Sequence, residues 1–261
     1  MVVGGKMNIK IMVAAHKAYK MPDDRSLYVP VFVGSALRNI PSDMYQRDDD
    51  GKNISKKNPT FNELTALYWG WKNLKCDYIG LDHYRRYMTL GKSKDLASVL
   101  SQEQLERLFK NTDVVLPTKR HYYIESNYSH YVHAHHAEPL NITKEIISEK
   151  YPEYIDSFER VMKKTSAHMF NMFIMRKSLS DAYCEWLFDI LFELEKRIDT
   201  SEYDTYETRV FGFVSELLLD VWLDQQQLTY TEVNKVNLEN EHWIRKIFGF
   251  LARKFFNKRG K

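Results

Sequence analysis

The sequence predicts an α/β fold, with one core domain over 7–233 and a helical C-terminal extension over 234–261. Three observations carry this. Short apolar runs of strand length alternate with segments of helical periodicity, the pattern of a sheet flanked by helices. A length of 261 residues with 44% hydrophobic content suits one buried core. The last stretch, Ile244–Lys261, sets an apolar stripe (Ile244, Ile247, Phe248, Leu251, Phe255) beside seven basic residues and no acid.

The elements follow in order. Ile9–Ala15 (I-K-I-M-V-A-A) reads as a first strand that ends at His16 and Lys17. Ala18–Asn53 is polar, contains three prolines and the acidic run Asp48–Asp50, and is expected to be a long surface loop with those acids solvated. Asn62–Leu74 carries Leu64, Leu67, Tyr68 and Trp71 at helical spacing. Asp77–Leu81 is strand-like, and Ser101 caps a helix over Ser101–Asn111. Asp113–Leu116 is a short strand stopped by Pro117, and Asn141–Lys164 is helical with a break at Pro152. Met169–Met175 reads as an interior strand, and Asp181–Ile198 as a buried helix, apolar on nearly all sides. In a last core helix, Tyr206–Leu223, the residues Arg209, Gly212, Glu216 and Asp220 share one polar side.

Composition removes several function classes. No apolar run approaches the roughly 20 residues that cross a bilayer, and Met1–Lys6 lacks the apolar core of a signal peptide, so a cytoplasmic protein is expected. Cys76 and Cys184 are far apart and fit neither a redox pair nor a zinc spacing. The net charge of +3 is more than accounted for by the tail, so no broad basic face for nucleic acid is expected. G-x-G-x-x-G, Walker and G-x-S-x-G sequences are all missing.

The chemistry concentrates in Tyr78–Tyr87, Y-I-G-L-D-H-Y-R-R-Y. An apolar run stops and delivers Asp82, His83, Arg85 and Arg86 at a strand end, where open α/β sheets place ligands. With His16 and Lys17 these residues suit a diphosphate, because Arg pairs bidentately with phosphate oxygens. Either Asp82 holds Mn2+ or Mg2+, or the arginines supply the positive charge in its place. Alternation along a strand prevents Arg85 and Arg86 from both reaching one site if the strand continues. A sugar displacement also needs a base for the acceptor proton. Glu216, beside Arg209, is the candidate, with Glu63, Asp204 and Glu207 as rivals. Tyr128, His130, His133 and Glu63 are candidates to bind an acceptor. A strand through His130–His136 would put His133 and His135 on one face, so a metal-dependent hydrolase built on these histidines is a second reading, and a non-catalytic assembly protein a third.

Five segments occurring in one order carry a resemblance: N-P-T-F-N-E-L-T-A-L-Y-W-G-W-K-N (Asn58–Asn73), Y-I-G-L-D-H-Y-R-R-Y, N-M-F-I-M (Asn171–Met175), W-L-F-D-I-L-F-E-L-E (Trp186–Glu195) and R-V-F-G-F-V-S-E-L-L (Arg209–Leu218). Over roughly Asn8–Leu223 the chain resembles a bacterial family, first described as a domain of unknown function, from capsular and exopolysaccharide gene clusters. Its members are assigned as glycosyltransferases, some of them galactosyl- or galactofuranosyltransferases. The resemblance implies a GT-A-like core, a UDP-sugar donor and a lipid-linked saccharide acceptor. The basic tail fits either an amphipathic helix lying on the inner face of the plasma membrane or a helix packed on the domain.

Overall fold

Ile9–Ala15 forms β1, the expected strand residue for residue, and all but one of its side chains are buried. The structure is a computed structural model that describes residues 6–238. Among the described residues, the other strands are β2 (Tyr28–Phe32), β3 (Gln46–Arg47), β4 (Tyr78–His83), β5 (Arg86–Thr89), β6 (Val114–Pro117), β7 (Arg120–His121), β8 (Ser166–Ala167), β9 (Phe173–Arg176) and β10 (Thr231–Asn237). The helices are α1 (Asn58–Phe61), α2 (Leu64–Asn73), α3 (Gln102–Leu108), α4 (Asn127–Ala134), α5 (Ala137–Lys150), α6 (Ile155–Lys163), α7 (Lys177–Arg197) and α8 (Val210–Gln225).

The main sheet runs β3-β2-β1-β4-β5-β10-β6-β9, and β4 also pairs with β9. β1 lies parallel to both β2 and β4. The chain leaves β1 for β2 on one side and returns to β4 on the other, which makes the carboxyl ends of β1 and β4 a topological switch point. The far edge of β4 is shared: Tyr78–Leu81 pair with β9, and His83 pairs with Arg86 of β5. Asp82 sits at the fork between these two partners. Gly80 is needed there because a Cβ would lie 2.8 Å from the Phe173 carbonyl oxygen.

One sheet face is covered by α2, α7 and α8, which bury Leu81, Phe173, Leu187, Val214 and Leu218 among others. The other face carries Tyr28, Tyr78, Tyr87, Ile174 and Val236, with Leu105 of α3 packed on it. Ser101 caps α3 in a full capping box with Gln104, which satisfies two of the helix's orphan donors.

Four expectations are corrected. The region 18–53 holds β2, a buried sheet strand whose Pro30 lies in it, and β3. Asp48 is fully buried, and it accepts hydrogen bonds from the Gly34 and Ser35 amides and the Ser55 and Thr65 hydroxyls. Those bonds tie the turn after β2 to α2, so this acid is structural and not solvated. The strand read from Met169 begins only at Phe173, because Phe170 and Asn171 take left-handed backbone with φ of 75° and 54°. The domain boundary after residue 233 falls inside β10, whose Asn234–Asn237 pair with β5 within the sheet. The basic helix expected over 244–261 lies outside the described residues.

Candidate active site

The switch point gathers two groups of side chains on opposite sides of β4, because neighbouring strand residues point to opposite faces. The first group lies over the end of β1. Tyr19 and Tyr84 stack with ring centroids 3.7 Å apart, and His16 meets Tyr84 edge-on at 5.2 Å. Lys17 Nζ lies 5.0 Å from the Tyr19 ring, and the Arg85 guanidinium lies 5.4 Å from the Tyr84 ring. The Tyr45 hydroxyl accepts from the Tyr19 amide and fixes this segment. The His16 ring and the cations of Lys17 and Arg85 thus converge on one aromatic platform.

The second group lies on the helix face. His83 and Arg86 are cross-strand partners and share that face. Burial holds His83 below its ordinary value, and its Nε2–H donates to the Phe170 carbonyl at 2.6 Å. Arg86 lies 4.3 Å over the Phe170 ring. From α8, Glu216 enters the same cluster. Burial, then the nearby Glu63 carboxylate, pushes its acid up to about 8, against the pull of Arg86 and Arg209. Asn171 donates to Glu63 at 2.7 Å and to the Gly212 carbonyl, and it accepts from the Ser215 hydroxyl. Arg209 Nε donates to Asn62, the residue before Glu63. The left-handed Phe170–Asn171 backbone therefore serves the centre of the cluster: one residue presents its carbonyl to His83, and the next holds Glu63.

A third group continues along α8. One turn beyond Glu216, Asp220 accepts from the His168 amide and faces His168 Nδ1, while Glu232 of β10 faces Nε2. Beside it, Tyr122 stacks on His130 with centroids 3.9 Å apart. Burial pushes the Tyr122 hydroxyl up to about 12, and both Glu216 and Asp220 act on it in the same direction. The Tyr122–His130 pair therefore borders the Glu216 cluster.

The predicted residues divide accordingly. Glu63, His83, Arg86, Arg209 and Glu216 come together, and His16, Lys17 and Arg85 form the neighbouring platform. Arg85 and Arg86 diverge, but not by alternation: β4 ends at His83, Arg85 sits in the turn, and Arg86 opens β5. Asp82 departs from expectation. It is 0% exposed, faces Tyr28 and Tyr87 on the side of β4 opposite His83, and neither carboxylate oxygen has a side-chain partner, the Met88 backbone alone favouring its charged form. Its acid is pushed up to about 8 by burial. Turned into the core beside Tyr28 and Tyr87, Asp82 is not placed to hold Mn2+ or Mg2+ against a donor diphosphate.

The histidine segment is helical in α4 and not a strand. Glu125 bridges His130 and His133, each at 2.9 Å, and His135 contacts Glu207. These carboxylate pairings replace the metal geometry that a hydrolase would need. Tyr128 is exposed, with its hydroxyl on Asn141, and stands apart from the Glu216 cluster. Asp204 caps the Tyr206 and Glu207 amides, which fits a structural role. Sequence reasoning missed Tyr19, Tyr84, Tyr122, Phe170 and Asn171. Asn171 alone offered a signal, since Asn is depleted in strand interiors.

Fold and site together define an α/β protein with a charged crevice at its switch point, lined by a carboxylate pair and several cations. The chain belongs to the family DUF4422, a domain of unknown function, whose model matches residues 10–227. It is similar to the apo structure of the WbbM bifunctional glycosyltransferase, with TM-score 0.79 and 29% identity over 89% of this chain and 46% of that one. The chain therefore spans less than half the length of that protein. No curated protein matches it. Among the described residues, no helix is long and apolar enough to cross a membrane.

Proposed function

We propose that the chain is a glycosyltransferase with a GT-A-like core that includes β10. It transfers a sugar, galactose in pyranose or furanose form, from a UDP-sugar to a lipid-linked saccharide of surface polysaccharide. The observation that carries this reading is the adjacency, at the switch point, of the His16–Lys17–Arg85 platform and the Glu63–Glu216 pair with Arg86. The likeness to a glycosyltransferase structure supports it. The donor diphosphate lies against Arg86 and Arg209 on the Glu216 side of β4, and the acceptor enters past Tyr122 and His130. Glu216 takes the proton of the acceptor hydroxyl as its oxygen bonds to the sugar carbon. The bond from that carbon to the diphosphate oxygen breaks, and its electron pair leaves with UDP. Arg86 and Arg209 face the negative charge that develops, in a partly desolvated site where such interactions are strong. A base whose acid form titrates near the working pH is well matched to this step. Asn171 keeps Glu63 in place beside it.

Positive charge comes from side chains in this reading, with no divalent cation required. Contact of the basic tail with the inner leaflet would bring the enzyme to its acceptor. The test is UDP release from UDP-galactose and UDP-galactofuranose in the presence of lipid-linked acceptor, with and without chelator. Absence of UDP release and of any stabilisation by these donors would refute the function. Loss of activity with EDTA, restored by Mn2+, would refute metal independence.

A further inference from the structure

The loop between β7 and α4 carries two adjacent large side chains that the fold leaves in the open. Tyr123 is 86% exposed and Ile124 is 88% exposed, while among the described residues the next most exposed large hydrophobics, Leu37 and Met44, are at 50%. The exposure is imposed by the backbone. The Ile124 amide donates to the Tyr122 carbonyl at 2.7 Å, and Tyr123 between them has φ of 62°. This is a γ-turn of the rare, positive-φ kind, which a bulky residue adopts only under constraint.

The base of the loop is held firmly. The Tyr122 amide donates to the Thr165 carbonyl, and the Asn127 amide to the Lys164 carbonyl. The buried Asn127 side chain donates to the Val161 and Ser166 carbonyls. Tyr122 stacks on His130, and Ser126 caps α4. A rigid base therefore presents a strained apolar tip.

The rim is basic. Arg120 and His121 precede the tip on β7 and are exposed. β7 pairs with Ser166–Ala167, so exposed Lys163 and Lys164 run beside the loop. The nearby acids are already engaged: Glu125 by His130 and His133, and Asp224 by Arg160 and Lys164.

We propose that the Tyr123–Ile124 tip inserts into the headgroup region of an anionic lipid bilayer, with Arg120, His121 and Lys163 against the lipid phosphates. An anionic surface complements the rim. Two side chains fall far short of the roughly 800 Å² per partner that a stable protein interface needs, yet suffice as an interfacial anchor. Tyrosine, with an apolar ring and a polar tip, suits the headgroup level. The proposal is independent of the transferase reading and of the basic tail.

The test uses the full chain and vesicles of phosphatidylglycerol with phosphatidylethanolamine, against vesicles of phosphatidylcholine alone. Tyr123→Ser/Ile124→Ser is expected to lower partitioning onto the anionic vesicles by roughly tenfold or more. In a Cys76→Ser background, Ile124→Cys bearing an environment-sensitive fluorophore is expected to blue-shift on anionic vesicles and much less on neutral ones. Unchanged partitioning of the double variant would overturn the proposal. So would a label at 124 that stays in water while the protein binds through its tail, or a wild-type chain that binds no vesicle.

Discussion

Asp82→Asn isolates the energetic consequence of the buried carboxyl at the fork of β4, which has no side-chain partner. In the folded chain burial pushes Asp82 up to about 8, whereas an unfolded aspartate titrates at about 3.9. The folded value is the higher one. Between these two values the folded state keeps a proton that the unfolded state has released, so stability falls as pH rises. The cost is absent below about pH 4, grows by about 1.4 kcal/mol per pH unit, and levels off above the folded pKa. From pH 5 to pH 7 this one group removes roughly 2–3 kcal/mol. Asn matches the protonated acid in shape and does not titrate. Urea unfolding of both proteins at pH 5 and pH 7 reads the effect directly. Background titrations from His83 and Glu216 are shared, so they cancel in the difference between the two curves. The wild type is expected to lose about 2–3 kcal/mol more than the variant over that interval. Curves that stay parallel would mean that the Asp82 carboxyl is solvated or paired, and the placement argued above would fall.

Glu216→Gln is expected to lower transferase turnover by about 10²- to 10⁴-fold with the thermal midpoint preserved. In the wild type the rate should climb as pH rises toward about 8, where this acid loses its proton; a flat profile would point to another base. Asp48→Ala strips the acceptor from two amides and two hydroxyls, and chemical denaturation should show a loss of about 3–5 kcal/mol. Gly80→Ala drives a Cβ against the Phe173 carbonyl oxygen, which should cost about 1–3 kcal/mol in the same measurement. A neutral result there would argue against the β4–β9 pairing.

Much of the scaffold was legible locally. β1 needed only its apolar run, and α3 only Ser101 as its cap, the Gln104 half of the capping box emerging with the structure. The polar side of α8, with Arg209, Glu216 and Asp220, followed from helical period, and the tertiary fold gave it partners in Glu63, Arg86 and His168. β2 was hidden because Pro30 and its polar flanks mask a short buried strand. Asp48 was misjudged because its four donors come from several separate parts of the chain. Phe170–Asn171 looked like the start of a strand, since an apolar run does not report the sign of φ.

By itself the sequence determined the alternation of strands and helices, the stopping of two apolar runs just before His16 and Asp82, and the concentration of charge beside them. These are set by side-chain period and by the residues that end an element. Only the tertiary structure decided that Asp82 turns into the core while His83 turns to Glu63, that Arg85 and Arg86 part company, and that Asn171 reaches Glu63 across 108 positions of chain. Neighbouring strand residues point in opposite directions, and which of the two directions meets solvent depends on what packs there. That packing is a matter of contacts between distant segments, which local sequence pattern does not encode.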